Sequence, residues 1–356
     1  MQRIGIAGAG NISRIYLDNL TGMFGKRVKL VSICDCIFEK AQSAAQNYKI
    51  KAFSSLDEML NGCDTDIILN ITPPASHYDV AVAALRAGKH VYNEKPFCVK
   101  REEAEQLLKT AEEKKVRAGG APDTFLGAGL QTCRKLIDDG WIGQPVAATA
   151  VMMSRGPEHW HPSPHFFYQS GGGPMFDIGP YYITALVSIL GPVKRVCGSA
   201  RISSPVRTIT NQLQYGETIN VEVPTHIAGV LDFAGGPVGT IITSFDVYSH
   251  SLPRIEIYGT EGTLQVPDPN TFGGPVFVKR FREEKWSEIP LLKSYQENSR
   301  GLGLTEMAEA IENKKPHRAS VELVCHVLDI MHGIHDASGT GKYYKLKTKC
   351  SRPEAL

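Results

Sequence analysis

The chain of 356 residues is long for a single hydrophobic core, so two domains are expected. Its 39 lysines and arginines nearly balance its 37 aspartates and glutamates, which argues against a dedicated binder of nucleic acid or of membrane surfaces. Eight cysteines without paired spacing, no visible secretory segment and no apolar run of membrane-spanning length lead us to expect a cytoplasmic protein with reduced thiols.

The first 120 residues alternate between short apolar runs and helix-length amphipathic segments. This alternation predicts an α/β domain, residues 1–122, with a doubly wound parallel sheet covered by helices on both faces. The predicted strands are 3–7, 29–34, 66–71, 90–93 and 116–119, and the predicted helices are 12–20, 38–48, 56–61, 76–87 and 101–114.

After residue 125 the chain is rich in valine, isoleucine and threonine, and its turns are dense in glycine and proline. Such turns favour antiparallel hairpins, so we predict that residues 123–356 form an α+β domain on a large open, mainly antiparallel sheet. The predicted strands are 146–153, 193–203, 219–233, 238–245, 254–258 and 276–281, and the predicted helices are 129–139, 175–190, 304–312 and 321–337.

A glycine-rich loop lies between the first predicted strand and the first predicted helix. Gly8 permits a tight turn, and Gly10 lets backbone N–H groups approach a pyrophosphate at the helix N terminus. Ser13 replaces the third glycine of the dinucleotide fingerprint, so an ordinary strand-to-helix turn is the alternative. The predicted cofactor contacts here are Gly8, Ala9, Gly10, Asn11 and Ile12.

Asp35 ends the second predicted strand, where a carboxylate accepts hydrogen bonds from the ribose diol of an adenosine. The same charge repels a 2′-phosphate, by about 1 to 4 kcal/mol at 4 Å, so NAD is favoured over NADP. A solvated aspartate in a turn is the alternative, and Lys40 leaves NADP open.

Two further loops follow predicted strands. Thr72 and Pro73 begin an extended loop that is placed to lie along a nicotinamide ribose, and His77 follows as a cofactor contact or as a first-turn residue with its ring in water. Glu94 and Lys95 close an apolar strand, where poor hydration makes an ammonium easier to deprotonate and suits it to proton exchange with a substrate hydroxyl. A charged surface turn is the alternative.

Together these motifs resemble the Gfo/Idh/MocA oxidoreductases. The motifs are Gly8-Ala9-Gly10, Asp35, Thr72-Pro73-Pro74 with His77, Glu94-Lys95-Pro96, Gly171-Gly172-Gly173 and Asp177-Ile178-Gly179. The resemblance implies a Rossmann domain, a second domain for substrate binding and oligomerisation, and NAD(P)-dependent chemistry on sugars and cyclitols. It also implies a homodimer or homotetramer formed through the second sheet, and a cis bond before Pro96.

The resemblance also implies roles for particular residues. Lys95 matches the family's catalytic lysine, Glu94 a contact to the nicotinamide ribose, and Asp177 the aspartate of the catalytic site. Tyr181 stands where the family often has histidine, as in glucose–fructose oxidoreductase and the dihydrodiol dehydrogenases, and Thr184 replaces a usual aspartate. We therefore predict Lys95, Asp177 and Tyr181 as the catalytic residues, which also contact the substrate.

The substrate side is predicted from an aromatic loop just before the glycine run. Trp160 and His161 combine a stacking surface with a hydrogen-bonding imidazole, a common way to hold a sugar ring. We expect no metal, because the loop histidines lack a carboxylate or thiol at ligand spacing. Asp123, after the last strand of the first domain, is the further predicted substrate contact and favours neutral polyols.

The leading hypothesis is an NAD-dependent oxidoreductase that acts on a secondary hydroxyl of a neutral sugar, glycoside or cyclitol, with Lys95 and Tyr181 in proton transfer. One alternative is an NAD-dependent glycosidase that works through transient oxidation at C3 followed by elimination. Another is a sensor that binds NAD without catalysis.

Overall fold

A computed structural model describes residues 1–292 and 294–356, which form two units. The first unit is Met1–Leu126 with Glu297–Cys325, and the second is Gly127–Gln296 with His326–Leu356. The boundary predicted after residue 122 assigned every later residue to the second domain, whereas residues 297–325 return to the first unit. Long-range hydrogen bonds explain this return, because the side-chain amide of Asn19 donates to the carbonyls of Asn298 and Arg300, both at 2.9 Å.

The first unit is built on a six-stranded parallel sheet, which confirms the doubly wound arrangement. Its strands are β1 (Arg3–Ala7), β2 (Lys29–Cys34), β3 (Lys51–Phe53), β4 (Ile67–Asn70), β5 (His90–Asn93) and β6 (Ala118–Gly120). They lie in the order β3-β2-β1-β4-β5-β6, and the side chains of Ile6, Ile33 and Ile68 are fully buried. The order reverses between β1 and β4, the place where open α/β sheets bind ligands beyond the carboxyl ends of their strands.

The helices follow the chain in both units. They are α1 (Ser13–Thr21), α2 (Phe38–Tyr48), α3 (Leu56–Gly62), α4 (His77–Arg86), α5 (Arg101–Lys114), α6 (Ala128–Asp138), α7 (Gly173–Asp177), α8 (Gly179–Leu190), α9 (Leu302–Glu312) and α10 (Val321–Thr340). Ser55 caps α3 by accepting the N–H of Glu58 at 3.2 Å, as the sequence predicted. Within the described ranges, no helix has both the length and the apolar character needed to cross a bilayer.

The second unit contains a nine-stranded, mainly antiparallel sheet, as predicted. Its strands are β7 (Pro145–Met153), β8 (Val193–Arg201), β11 (His226–Phe233), β12 (Val238–Ser244), β13 (Ile255–Gly259), β14 (Gly262–Val266), β15 (Val276–Arg280), β16 (Ser287–Ile289) and β17 (Tyr344–Lys345), and a separate pair is formed by β9 (Val206–Thr208) and β10 (Thr218–Asn220). The strands lie in the order β16-β15-β14-β13-β7-β12-β11-β8-β17; β7 pairs with β12 in parallel and the other neighbours are antiparallel.

Two predicted elements of the second unit are divided in the structure. The predicted strand 219–233 is interrupted between β10 and β11, where Pro224 has no N–H to contribute to a ladder. The predicted helix 175–190 is two helices that meet at Ile178, because Pro180 in the first turn of α8 cannot donate back to α7.

Candidate active site

The loop after β1 meets the loop after β4 where the strand order reverses. Gly8 has φ of +105°, a conformation that side chains other than glycine rarely adopt, and a Cβ there would lie 2.8 Å from the carbonyl oxygen of Ile71. Its N–H donates to the carbonyl of Cys34 at 2.8 Å. Gly8 therefore allows the close approach of β1, β2 and β4 at their carboxyl ends.

The glycine loop leaves room for a ligand at the start of α1. A Cβ on Gly10 would meet no atom within 4 Å, and no side chain caps the N terminus of α1 after Ile12. The Ser13 hydroxyl donates to the Gly10 carbonyl at 2.7 Å and so holds the loop on the helix. An open glycine beside a helix N terminus fits a pyrophosphate, and Asn11 is exposed at the same place.

Asp35 follows β2 and is half-buried beside the glycine loop. Its Oδ2 accepts the N–H of Ala9 at 2.7 Å, and its Oδ1 accepts the N–H of Ile37 at 2.8 Å. Each carboxylate oxygen has a second lone-pair direction, so these bonds orient the group and leave it able to accept from a ribose diol.

Glu94 and Lys95 extend from the end of β5. The Glu94 carboxylate is buried; its Oε1 accepts the phenolic O–H of Tyr16 at 2.6 Å, and its Oε2 accepts the N–H of Lys95 at 2.8 Å. Burial, with Glu94 close by, raises the pKa of Tyr16 well above its ordinary value, so the phenol stays a donor. The Lys95 side chain is half-buried, and the bond from Lys95 to Pro96 is cis, as the resemblance implied.

The loop after β4 is held by buried amides. Asn70 accepts the Thr72 hydroxyl at 2.7 Å and donates to the carbonyl of His77 at 3.0 Å, while Pro73 is exposed beside Thr72. His77 itself is 1% exposed, and each ring nitrogen lies within 2.8 Å of a backbone carbonyl. The predicted alternative of a ring in water is therefore wrong for His77.

Asp123 lies in an environment that its predicted substrate contact did not anticipate. It is 1% exposed, and its Oδ2 accepts the N–H groups of Gly301 and Gly303 at 2.9 and 3.0 Å, at the start of α9. Burial, opposed in part by these hydrogen bonds, raises its pKa to about 6. Its carboxylate thus secures the returning segment 297–325 within the first unit.

In the second unit, Asp177 and Tyr181 flank the break between α7 and α8. Asp177 ends α7 and is half-buried, and Tyr181, in the first turn of α8, is 6% exposed. The Tyr181 N–H donates to the carbonyl of Ile178 at 3.0 Å, so the break is closed by the backbone. The two residues belong to two helices and do not share one continuous helical face, which corrects the simplest prediction from their spacing of four.

Trp160 and His161 belong to an aromatic cluster on the loop after β7. Trp160 is 62% exposed, and its ring meets that of His161 edge to face at 5.3 Å between centroids. The His161 ring also contacts Phe166 and Phe167, at 5.3 and 5.1 Å. A Cβ on Gly172 would lie 2.5 Å from the Phe166 carbonyl oxygen, so the glycine run lets this cluster pack closely against the start of α7.

A buried ionic network fixes this loop from below. Glu158, 7% exposed, accepts hydrogen bonds from Tyr168 and from Arg207, the latter at 2.6 Å to Nη2. Arg207 also donates to Asp246 at 2.7 Å and to the carbonyl of Phe245 at 2.9 Å. The sequence gave no sign of this network, because its members lie up to 88 positions apart in the chain.

The structure thus brings one set of predicted residues to a single edge of the first sheet and a second set to the α7–α8 region of the second unit. The first set is Gly8, Gly10, Asp35, Thr72 and Lys95. Sequence reasoning missed Tyr16 and Arg207, each of which orients a predicted element. Across the part of the chain that the structure describes, no three His, Cys, Asp or Glu side chains are grouped to hold a metal.

A parallel sheet with a glycine turn at its reversal point and an acidic residue after β2 defines a dinucleotide-binding protein of the Rossmann class. Residues 2–120 match the oxidoreductase family with an NAD-binding Rossmann fold, and residues 130–265 match the Gfo/Idh/MocA C-terminal domain. The chain belongs to the Gfo/Idh/MocA oxidoreductases, which confirms the predicted family and enzyme class.

Named relatives and solved structures agree with this assignment. The D-glucoside 3-dehydrogenase of Escherichia coli (strain K12) is 28% identical over 269 residues, which are 72% of this chain and 74% of that protein. The inositol 2-dehydrogenase of Salmonella typhimurium is 31% identical over 152 residues, 40% of this chain and 44% of that protein. A levoglucosan dehydrogenase solved with NADH and levoglucosan has the same fold, with a TM-score of 0.82, 19% identity, and coverage of 98% of this chain and 100% of that one.

Proposed function

We propose that this chain is an NAD-dependent dehydrogenase or reductase that acts on a secondary hydroxyl of a neutral sugar, glycoside or cyclitol. The observation that carries the proposal is the arrangement at the carboxyl edge of the first sheet, where Lys95 follows β5 in the sheet that also carries the open glycine loop. The relatives named above are dehydrogenases of glycosides, inositols and an anhydrosugar, so the glycosidase and the sensor are not favoured.

The proposed roles follow from the environment of each residue. NAD, when bound, supplies the nicotinamide that exchanges a hydride with the substrate carbon. Lys95 takes the proton of the hydroxyl, and Glu94, oriented by Tyr16, contacts the nicotinamide ribose. From the second unit, Tyr181 shares the proton transfer and Asp177 orients the hydroxyl or the ammonium.

The preference for NAD over NADP rests on Asp35. Its carboxylate is fixed by the N–H groups of Ala9 and Ile37, so it cannot turn away from a 2′-phosphate without losing both bonds. Repulsion of about 1 to 4 kcal/mol at 4 Å corresponds to a tenfold or larger preference at the middle of that range. Comparing NAD and NADP as cofactors in the same assay tests this directly.

We propose that Trp160 and His161 contact the sugar ring. The exposed indole offers a face for stacking, and the edge-to-face contacts with Phe167 and Phe166 restrict both rings before a ligand arrives. Such restriction reduces the conformational entropy that binding has to overcome. The aromatic cluster carries no carboxylate of its own, in keeping with a neutral ligand.

The experiment that tests the function compares Lys95→Met with wild-type protein on a panel of sugars, inositols and glycosides. Absorbance of the reduced cofactor reports turnover, and NADH fluorescence reports binding. We expect Lys95→Met to abolish turnover and to leave NADH binding largely intact. Lys100→Met, which removes an exposed lysine five positions later, is the control and should behave as wild type. Full turnover by Lys95→Met would reject the catalytic role.

The same panel separates the alternatives, since release of an aglycone without net NADH would point to the glycosidase. We further propose that the nine-stranded sheet joins two copies of the chain through its outer face. Along one row of that face, Thr149, Thr240 and Glu256 are partly or fully exposed in neighbouring strands. Light scattering after size exclusion tests this, and a monomer at micromolar concentration would contradict it.

A further inference from the structure

His77 connects two loops that carry different parts of the proposed active site. The residue opens α4, and its Nδ1 lies 2.7 Å from the carbonyl oxygen of Pro96, in the loop after β5. Its Nε2 lies 2.8 Å from the carbonyl oxygen of Thr72, in the loop after β4. With 1% of the residue exposed, the ring is enclosed by the fold and spans the two loops.

Other hydrogen bonds hold each loop to its own strand or join the two strands. Asn70 accepts the Thr72 hydroxyl and donates to the His77 carbonyl, which closes the first loop on itself. Asn93 donates to the Phe97 carbonyl at 2.8 Å, which closes the second. Asn70 also donates to Asn93 at 3.0 Å between the paired ends of β4 and β5. Beyond those strand ends, the His77 ring extends the connection to the peptide that follows Lys95.

We propose that His77 is a positioning residue that holds the Lys95 loop at a fixed distance from the Thr72 loop and contacts neither cofactor nor substrate. The proposal rests on the proposed function, because its effect on turnover requires Lys95 to be the proton-transfer group. A reacting group displaced by about 1 Å commonly costs about 100-fold in rate, so a loosened loop affects catalysis more than it affects binding.

The protonation of the ring determines which of its contacts is a hydrogen bond. A neutral imidazole has one N–H and donates to one carbonyl, whereas the imidazolium donates to both. Burial lowers the pKa of His77, and Lys95 acts in the same direction, while the two carbonyls and Glu94 oppose this. The ring is therefore neutral at neutral pH and donates to one carbonyl. Asparagine places an amide nitrogen near the position of Nδ1, and glutamine near that of Nε2, so each replacement retains one of the two contacts.

The test compares His77→Phe, His77→Asn and His77→Gln in the full chain, with His90→Gln as the matched control. His90 is also partly buried on β5 and binds a backbone N–H, that of Arg117, but it lies at the opposite end of the strand. We expect His77→Phe to lower kcat at least 10-fold while the NADH dissociation constant and the sugar KM change less than 3-fold. Either His77→Asn or His77→Gln should recover most of kcat, and His90→Gln should match wild type.

Three outcomes would overturn the proposal: wild-type kcat in His77→Phe, a 10-fold weaker NADH affinity with unchanged kcat, or equal wild-type kcat in both amide variants. The last comparison decides the matter if His77→Phe does not fold. Hydrogen exchange in peptides that cover residues 94–98 gives a readout that needs no substrate. Faster exchange there in His77→Phe than in His90→Gln supports the bridge even if wild type turns over no sugar, in which case the proposed function fails and the bridge stands.

Discussion

Replacing Asp123 with asparagine is expected to stabilise the protein at alkaline pH relative to acid pH. The wild-type carboxyl is buried, and its pKa is raised to about 6 from an ordinary 3.8. The folded state therefore holds this proton more tightly than the unfolded chain. Its contribution to the unfolding free energy is greatest below pH 3.8, falls as pH rises toward 6, and is constant above. Asparagine keeps an oxygen for the N–H groups of Gly301 and Gly303 and does not titrate.

The magnitude follows from the two pKa values. A pKa of about 6 in place of 3.8 corresponds to about 3 kcal/mol lost in total by the wild type, of which about 1.5 kcal/mol is lost between pH 5 and pH 8. The stability difference between Asp123→Asn and wild type should therefore shift by about 1.5 kcal/mol in favour of the variant over that range. Part of the absolute gain is offset by the new amide N–H₂, for which the buried Tyr92 hydroxyl, unpaired among the described residues, offers an acceptor.

Urea unfolding followed by far-UV circular dichroism at pH 5 and pH 8 measures this difference, and hydrogen exchange in Leu302–Glu312 localises it to α9. Tryptophan fluorescence is unsuitable, because the three tryptophans, Trp141, Trp160 and Trp286, all belong to the second unit. Asp57→Asn, at an exposed first-turn position of α3, is the control and should show no such shift. A difference that does not change with pH would refute the reasoning. A 10-fold higher sugar KM in Asp123→Asn would instead support the substrate contact that the sequence predicted.

Two further variants test side chains that orient the site. Tyr16→Phe removes the hydrogen bond to the Glu94 carboxylate, so the unfolding free energy should fall by about 1.5 to 3 kcal/mol and NADH should bind more weakly; the exposed pair probed by Tyr48→Phe should change stability by less than about 0.5 kcal/mol, and equal effects of the two variants would contradict the role of Tyr16. Arg207→Lys breaks a buried, multiply bonded guanidinium, so urea unfolding should show about 3 kcal/mol or more of lost stability and the sugar KM should rise more than kcat falls. Arg195→Lys, in an exposed ion pair of the same sheet, should leave both unchanged, and an unaffected sugar KM in Arg207→Lys would separate the aromatic loop from substrate binding.

Short-range patterns predicted the parts of the site that follow directly from strand ends. Gly8, Asp35, Thr72 and Lys95 each come immediately after an apolar run, and the carboxyl ends of parallel strands meet at one edge of a sheet. Recognising the strands was therefore enough to place these residues together. The short β3 and the return of residues 297–325 to the first unit were not predicted, because neither produces a distinctive local period.

The sequence by itself determined the two-domain plan, the dinucleotide-binding sheet and the residues at its carboxyl edge, since alternation of strands and helices is a property of neighbouring residues. Only the tertiary structure decided the surroundings of those residues: the phenol of Tyr16 on Glu94, 78 positions away, the helix cap by Asp123 and the ring of His77 between two loops. Such contacts depend on which buried polar groups the packing brings within 3 Å of each other. Periodicity sets which face of an element is buried, but it does not set the partner that a buried donor or acceptor finds there.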